Sequence, residues 1–116
     1  MVFGPYPARV VSIHDGDTIT FDIDLGFGLI LNGQGFNGEP RVSCRVYGIN
    51  APELSTQAGK ASLSFAETLL KPGEVCQVTS HGWDKYGGRF DGTITLPDGR
   101  DYATVMLSGG FAVPMS

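Results

Sequence analysis

The sequence predicts a mainly β fold with helices (α+β): a small barrel of five short strands against which one longer and one shorter helix pack. Three observations carry this. Apolar and polar residues alternate with period two in short runs bounded by turn residues. One helical stripe is stopped by Pro72-Gly73. The length of 116 residues suffices for one modest core and is too short for two, so the whole chain reads as a single domain.

The clearest strand is 18–24, where Ile19, Phe21 and Ile23 share one face and Thr18, Thr20, Asp22 and Asp24 the other. Residues 41–47 repeat the pattern. Val42, Cys44 and Val46 point inward, and Arg41, Ser43, Arg45 and Tyr47 point outward, which presents the Arg45 guanidinium to solvent or ligand. Further strands are predicted at 8–13, 74–79 and 90–96. Between them, a glycine-rich stretch at about 25–40 reads as an extended hairpin with two turn signals. The longer helix is predicted over 56–70, with Ala58, Ala61, Phe65, Ala66 and Leu69 as its stripe, Lys60 and Ser62 off it, and Gly59 weakening its first turn. The shorter one starts at Asp101 as N-cap, carries Tyr102, Val105 and Met106, and ends at Gly109-Gly110.

Hydrophobic residues make up 41% and charged ones 17%, ordinary values for a globular chain, and no apolar run is long enough to cross a bilayer. The opening Met1-Val2-Phe3-Gly4-Pro5-Tyr6-Pro7 lacks a basic segment followed by an apolar one, so no signal peptide is visible, and the sequence leaves location open with an intracellular lean. Eight basic against twelve acidic side chains give a formal charge of −4. That balance excludes a protein that coats long duplexes by bulk electrostatics; nucleic acid, if bound, is held locally. Cys44 and Cys76 fall in the apolar alternation and read as small buried hydrophobes, with a disulfide left open by the sequence and no histidine partners for zinc.

Two stretches carry oxygen ligands and charge. Asp15-Gly16-Asp17-Thr18 by itself is a tight turn, for which aspartate and glycine are favoured on backbone grounds alone. It gains meaning if the strands bring Asp17 to the end of the 41–48 strand, where Asn50, the Ala51 carbonyl and Glu53 follow: hard cations such as calcium take such mixed carboxylate, amide and carbonyl oxygens. Pro52, which cannot donate a backbone hydrogen bond, favours an irregular turn there. Arg45 is either a surface residue paired with a nearby carboxylate or a planar grip for two phosphate oxygens. Arg89, in Asp84-Lys85-Tyr86-Gly87-Gly88-Arg89, is either a loop charge or the second such grip. Spacing alone supports no more than a metal or phosphate site. His14, beside the Asp15 turn, and His81 read as surface or strand-end residues. Trp83, with Tyr86, either caps the core or stacks a base.

Taken together and in order, "DGDT", "RVYGINAPE", the helix after it, "DKYGGR" and "LSGGFA" cover most of residues 8–113, and the chain resembles the staphylococcal (thermonuclease-like) nuclease family. The resemblance implies an OB-type five-stranded barrel and a calcium-dependent nuclease that hydrolyses DNA and RNA phosphodiesters with little sequence preference. By the same resemblance Asp17, Asn50 and the Ala51 carbonyl fall at metal positions, Glu53 at the water-activating position, Arg45 and Arg89 at phosphate-binding positions, and Lys85 and Tyr86 at positions that touch the nucleotide's phosphate end. The expected cofactor is Ca2+ or another divalent cation, and the expected partner is DNA or RNA, bound by a monomer.

This sequence departs from the family pattern in three places. Asn50 stands where the best-known members have aspartate, which keeps an oxygen and removes a negative charge; Asp15 is placed to compensate through a bound water. Gly87-Gly88 adds one glycine before Arg89. The sequence ends just past "GFA", without a counterpart of the terminal helix of longer members. Asn50, the acidic charge and the shortened C-terminus motivate a rival expectation, a catalytically silent barrel of the same kind that binds nucleic acid or a protein partner; a weaker one is a purely structural β-barrel subunit.

Overall fold

The computed structural model describes residues 2–31, 43–84 and 88–115. Their elements in order are β1 (Phe3–Asp15), β2 (Thr18–Asp24), β3 (Ile30–Leu31), β4 (Ser43–Val46), β5 (Ile49–Asn50), α1 (Gln57–Leu69), β6 (Val75–Trp83), β7 (Arg89–Thr95), α2 (Tyr102–Ser108) and β8 (Val113–Pro114). Five of the strands run β1-β6-β7-β4-β2 and close through a β1–β2 pairing, giving an OB-type barrel with two packed helices. The seam between β4 and β7 is parallel, and the other barrel pairings are antiparallel. β3 extends β2 outward, and β5 with β8 forms a separate two-stranded ribbon.

Alternation fills the interior. Ala8 and Val10, Ile19, Phe21 and Ile23, Cys44 and Val46, Cys76 and Val78, and Phe90 and Ile94 all lie buried on the inner face. β1 is longer than the sequence predicts because it serves two neighbours: Ala8 pairs with Ile23 on one side and with Cys76 on the other. Register shifts between Val10 and Ser12 and between Ile13 and Asp15 bend it around the barrel. Cys44 and Cys76 are buried free thiols, and burial pushes both upward in pKa, Cys76 to about 12, so neither is a ready nucleophile. The glycine-rich hairpin is visible where it leaves β2, as a turn closed by Leu25 and Leu29 and a short return strand; its portion from 32 to 40 lies outside the described residues.

α1 starts one residue later than predicted, because Thr56 is its N-cap: the Thr56 hydroxyl accepts from the Gly59 amide at 3.0 Å. Its buried face differs from the predicted stripe: Gly59, Ser62 and Ala66 are buried, whereas Ala58 and Ala61 are exposed. Small residues win the inward positions because the helix lies directly on backbone. A Cβ at Gly59 would come within 1.9 Å of the Glu53 carbonyl oxygen, and one at Gly16 within 2.2 Å of Ser62 Oγ. The Ser62 hydroxyl is fully buried and has no hydrogen-bond partner among the described residues. Gly59→Ala is therefore expected to destabilise the fold by about 1–3 kcal/mol or more, as overpacking against unyielding backbone does, which urea denaturation will read directly.

α2 begins at Asp101, whose carboxylate accepts from Thr104 N at 3.0 Å, and it buries Tyr102 and Met106 as predicted. The Tyr102 hydroxyl donates to the Gly16 carbonyl at 2.7 Å inside the core. That bond ties α2 to the Asp15–Thr18 turn, and the stacked rings of Phe65 and Phe111, 4.2 Å apart, tie α1 to the segment after α2. Both helices thus brace the turn that carries Asp17.

Candidate functional site

The Asp15–Thr18 turn is shaped by its own side chains. Asp15 Oδ1 accepts from the Asp17 amide at 3.0 Å, and the Thr18 hydroxyl donates to Asp17 Oδ1 at 3.1 Å. Gly16 is needed here for space, since Ser62, Ala51 and Met106 surround its α-carbon. The turn abuts the end of β4: Val46 N donates to the Asp17 carbonyl at 2.8 Å, and Ala51 N donates to Asp17 Oδ2 at 2.8 Å. Asp17, Asn50 and Ala51, 34 residues apart at the extremes of that last bond, are thereby brought together.

Arg45 is the centre of this cluster. Thr18 lies opposite Arg45 across β2 and β4. Nη1 donates to the Val46 carbonyl at 3.1 Å and the Ile49 carbonyl at 2.8 Å; Nη2 donates to Asn50 Oδ1 and stands 3.4 Å from Asp17 Oδ2. The side chains of Arg45 and Asp17 are only 11% and 12% exposed. The expectation of an unencumbered guanidinium is therefore corrected. Of the five N–H donors, the four on Nη1 and Nη2 face these partners and Nε–H is the remaining one, so Arg45 acts as a caged positive charge. Its partners include the Val46 and Ile49 carbonyls, which flank the turn at Tyr47-Gly48.

Asp17, Asn50 and the Ala51 carbonyl are hard oxygen donors within one small region, a set that suits a calcium-like cation completed by water. Its formal charge is low. Among the described residues no three His, Cys, Asp or Glu side chains gather as a metal-holding group, so one carboxylate and neutral oxygens make up the set. Asp15 stands immediately behind, its carboxyl pushed above the usual range by burial and then by its hydrogen bond with Asp17. His14 Nε2 lies 3.9 Å from Asp15 Oδ2 on an exposed side chain.

On the outer face of the same strand, Arg45, Tyr47, Trp83, Asp84, Arg89 and Asp91 line one cavity of about 480 Å³. The parallel seam sets this up: Ser43 pairs with Arg89 and Arg45 with Asp91, so both arginines and Asp91 fall along two neighbouring strands. Gly88, in the left-handed region at φ 73°, makes the turn into β7, and its carbonyl accepts from Ser43 N at 3.3 Å. Arg89 Nε stands 3.3 Å from Asp84 Oδ2, and Asp84 in turn is hydrogen-bonded to Asp91. Trp83 is 62% exposed at the cavity rim, so it does not cap the core. Tyr47 stacks on His81 at 4.3 Å, with His81 Nε2 bonded to Thr93 Oγ1 at 2.7 Å.

The structure thus joins Asp17, Asn50, Ala51 and Arg45 in one cluster, and Arg45 and Arg89 in one cavity. Glu53 follows Ala51 by two residues on an exposed turn; its backbone carbonyl accepts from the Thr56 amide and hydroxyl, and its carboxylate makes no bond to the other candidates among the described residues. Lys85 and Tyr86 lie outside the described residues. Sequence reasoning missed Asp91 altogether. The signal was available, because alternation along 89–95 puts Asp91 on the face of Arg89 and Thr93, opposite buried Phe90 and Ile94. Compared with known proteins, the chain matches no family model and no curated protein.

Proposed function

We propose that this protein is a divalent-cation-dependent nuclease, favouring calcium, that hydrolyses phosphodiester bonds of DNA and/or RNA with little sequence preference. The observation that carries the reading is the cavity in which Arg45 and Arg89 meet, backed directly by the oxygen donors Asp17, Asn50 and Ala51. Two arginines converging on one concave site suit a diester, whose charge grows as the phosphorus becomes pentacoordinate.

The residues divide the work. Asp17, Asn50 and the Ala51 carbonyl hold the cation, which when bound supplies positive charge to a phosphoryl oxygen. Arg89 offers its Nη edge to the diester oxygens while Nε faces Asp84. Arg45, fixed by four contacts, contributes a preorganised charge that costs no reorganisation when the transition state forms. Glu53, exposed beside the cluster, orients and deprotonates the attacking water for in-line displacement, with no covalent intermediate.

Single-stranded DNA incubated with the purified protein is expected to be cleaved with calcium and left intact with chelator. Cleavage indifferent to chelator, or none, rejects the reading. Asn50 favours a second reading, because a neutral amide engaged by Arg45 weakens the cation set: a barrel that binds nucleic acid without turnover. Asn50→Asp separates the two. A charged ligand there is expected to tighten calcium binding on the order of tenfold, as ligand charge tunes such sites, and to raise the rate of an active enzyme. A silent barrel gains affinity for the ion with no cleavage.

A further inference from the structure

We propose that Asp91 is a positioning residue of the arginine cavity: through its hydrogen-bonded carboxyl pair with Asp84 it governs whether Arg89 is held back or released, so that a phosphodiester enters the cavity together with one proton. The inference rests on the cavity being a phosphodiester site and adds a proton-coupled control of it.

Arg45 and Arg89 line one cavity with Asp84 and Asp91; Asp84 stands 3.3 Å from Arg89, while Arg45 is also paired with Asp17 at 3.4 Å. Arg45 comes from β4 and lies opposite Asp91 in the parallel register; Asp84 follows β6; Arg89 shares β7 with Asp91. His81 on β6 is engaged with Tyr47 and Thr93. With both carboxylates ionised, Asp84 keeps Arg89 at 3.3 Å, and an arriving diester meets two like charges. With a proton on Asp91, that proton is donated to Asp84, the hold of Asp84 on Arg89 Nε weakens, and the cavity carries one negative charge less.

The sign follows. Burial, the hydrogen bond with Asp84 and the Asp84 charge push the Asp91 carboxyl above its ordinary range, while Arg45 and Arg89 draw it down less. A bound diester adds another negative charge and raises it further. Binding therefore takes up a proton, and affinity rises as pH falls through the range in which Asp91 titrates.

The probe is an oligothymidylate in EDTA, whose diesters and bases exchange no protons between about pH 4 and 9 and whose binding needs no metal or turnover. For the wild type, affinity is expected to rise by up to about tenfold per pH unit of acidification within that range. Asp91→Asn is expected to flatten this slope and to bind more tightly than the wild type at pH 8, while contributions from His14, His81 and Asp15 stay common to both proteins. Asp84→Asn, which breaks the pair from the other side, is expected to flatten it as well, so the test survives the loss of either variant to misfolding. In the wild type itself, the oligomer is expected to raise the Asp91 carboxyl titration seen by NMR. Equal slopes in wild type and both variants, or an Asp91 titration that the oligomer leaves unmoved, overturns the proposal. No oligomer binding by the wild type at any pH instead overturns the diester site itself.

Discussion

Arg45→Met is expected to lose stability and activity together. The substitution keeps an unbranched apolar stem and removes the guanidinium. It leaves Asp17, nine-tenths sequestered, without its counter-charge and removes the guanidinium donor from the Val46 and Ile49 carbonyls. Breaking a buried pair from one side costs about 3–5 kcal/mol, which denaturant unfolding will measure. Cleavage of single-stranded DNA is expected to fall by about 10²–10³-fold, the usual effect of deleting a preorganised group at the developing charge. Arg45→Lys separates the two losses, because one ammonium retains the charge but cannot span two carbonyls, an amide and a carboxylate. It is expected to recover part of the stability and little of the rate. Wild-type stability in Arg45→Met would contradict the cage described above.

Glu53→Gln is expected to show the opposite profile. Its carboxylate is exposed and bonded to none of the other candidates among the described residues, so stability should stay within about 0.5 kcal/mol of the wild type. The rate should fall by about 10²–10⁴-fold, the range lost with a general base, while oligothymidylate affinity in EDTA is unchanged. A variant that still cleaves at the wild-type rate removes Glu53 from the mechanism and leaves water activation to another group.

The two variants also mark what the sequence could reveal. The barrel was legible because alternation is a strictly local signal: Ile19, Phe21 and Ile23 declare an inner face without reference to anything else in the chain. Helix ends were legible for the same reason, from Thr56 and Asp101. The inner face of α1 was not, since hydrophobic periodicity favours Ala58 and Ala61, whereas contact with the backbone at Glu53 and Gly16 demands the smallest residues, Gly59 and Ser62. Arg45 was placed on the correct face and given the wrong freedom. Two of its four partners are main-chain carbonyls, which every residue possesses and no motif announces. The convergence of Asp17 with Asn50 and Ala51 was anticipated from turn and strand geometry, and the structure supplies the bond that secures it. Asp91 was overlooked because its meaning depends on a register, Arg45 opposite Asp91, that only the closed barrel fixes.

That register has a further consequence. β4 and β7 run in the same direction, so no hairpin joins them, and β5, α1 and β6 lie between them in the chain. The arginine cavity straddles this seam. Its walls are therefore assembled from segments far apart in sequence and exist as one surface only where the barrel is closed.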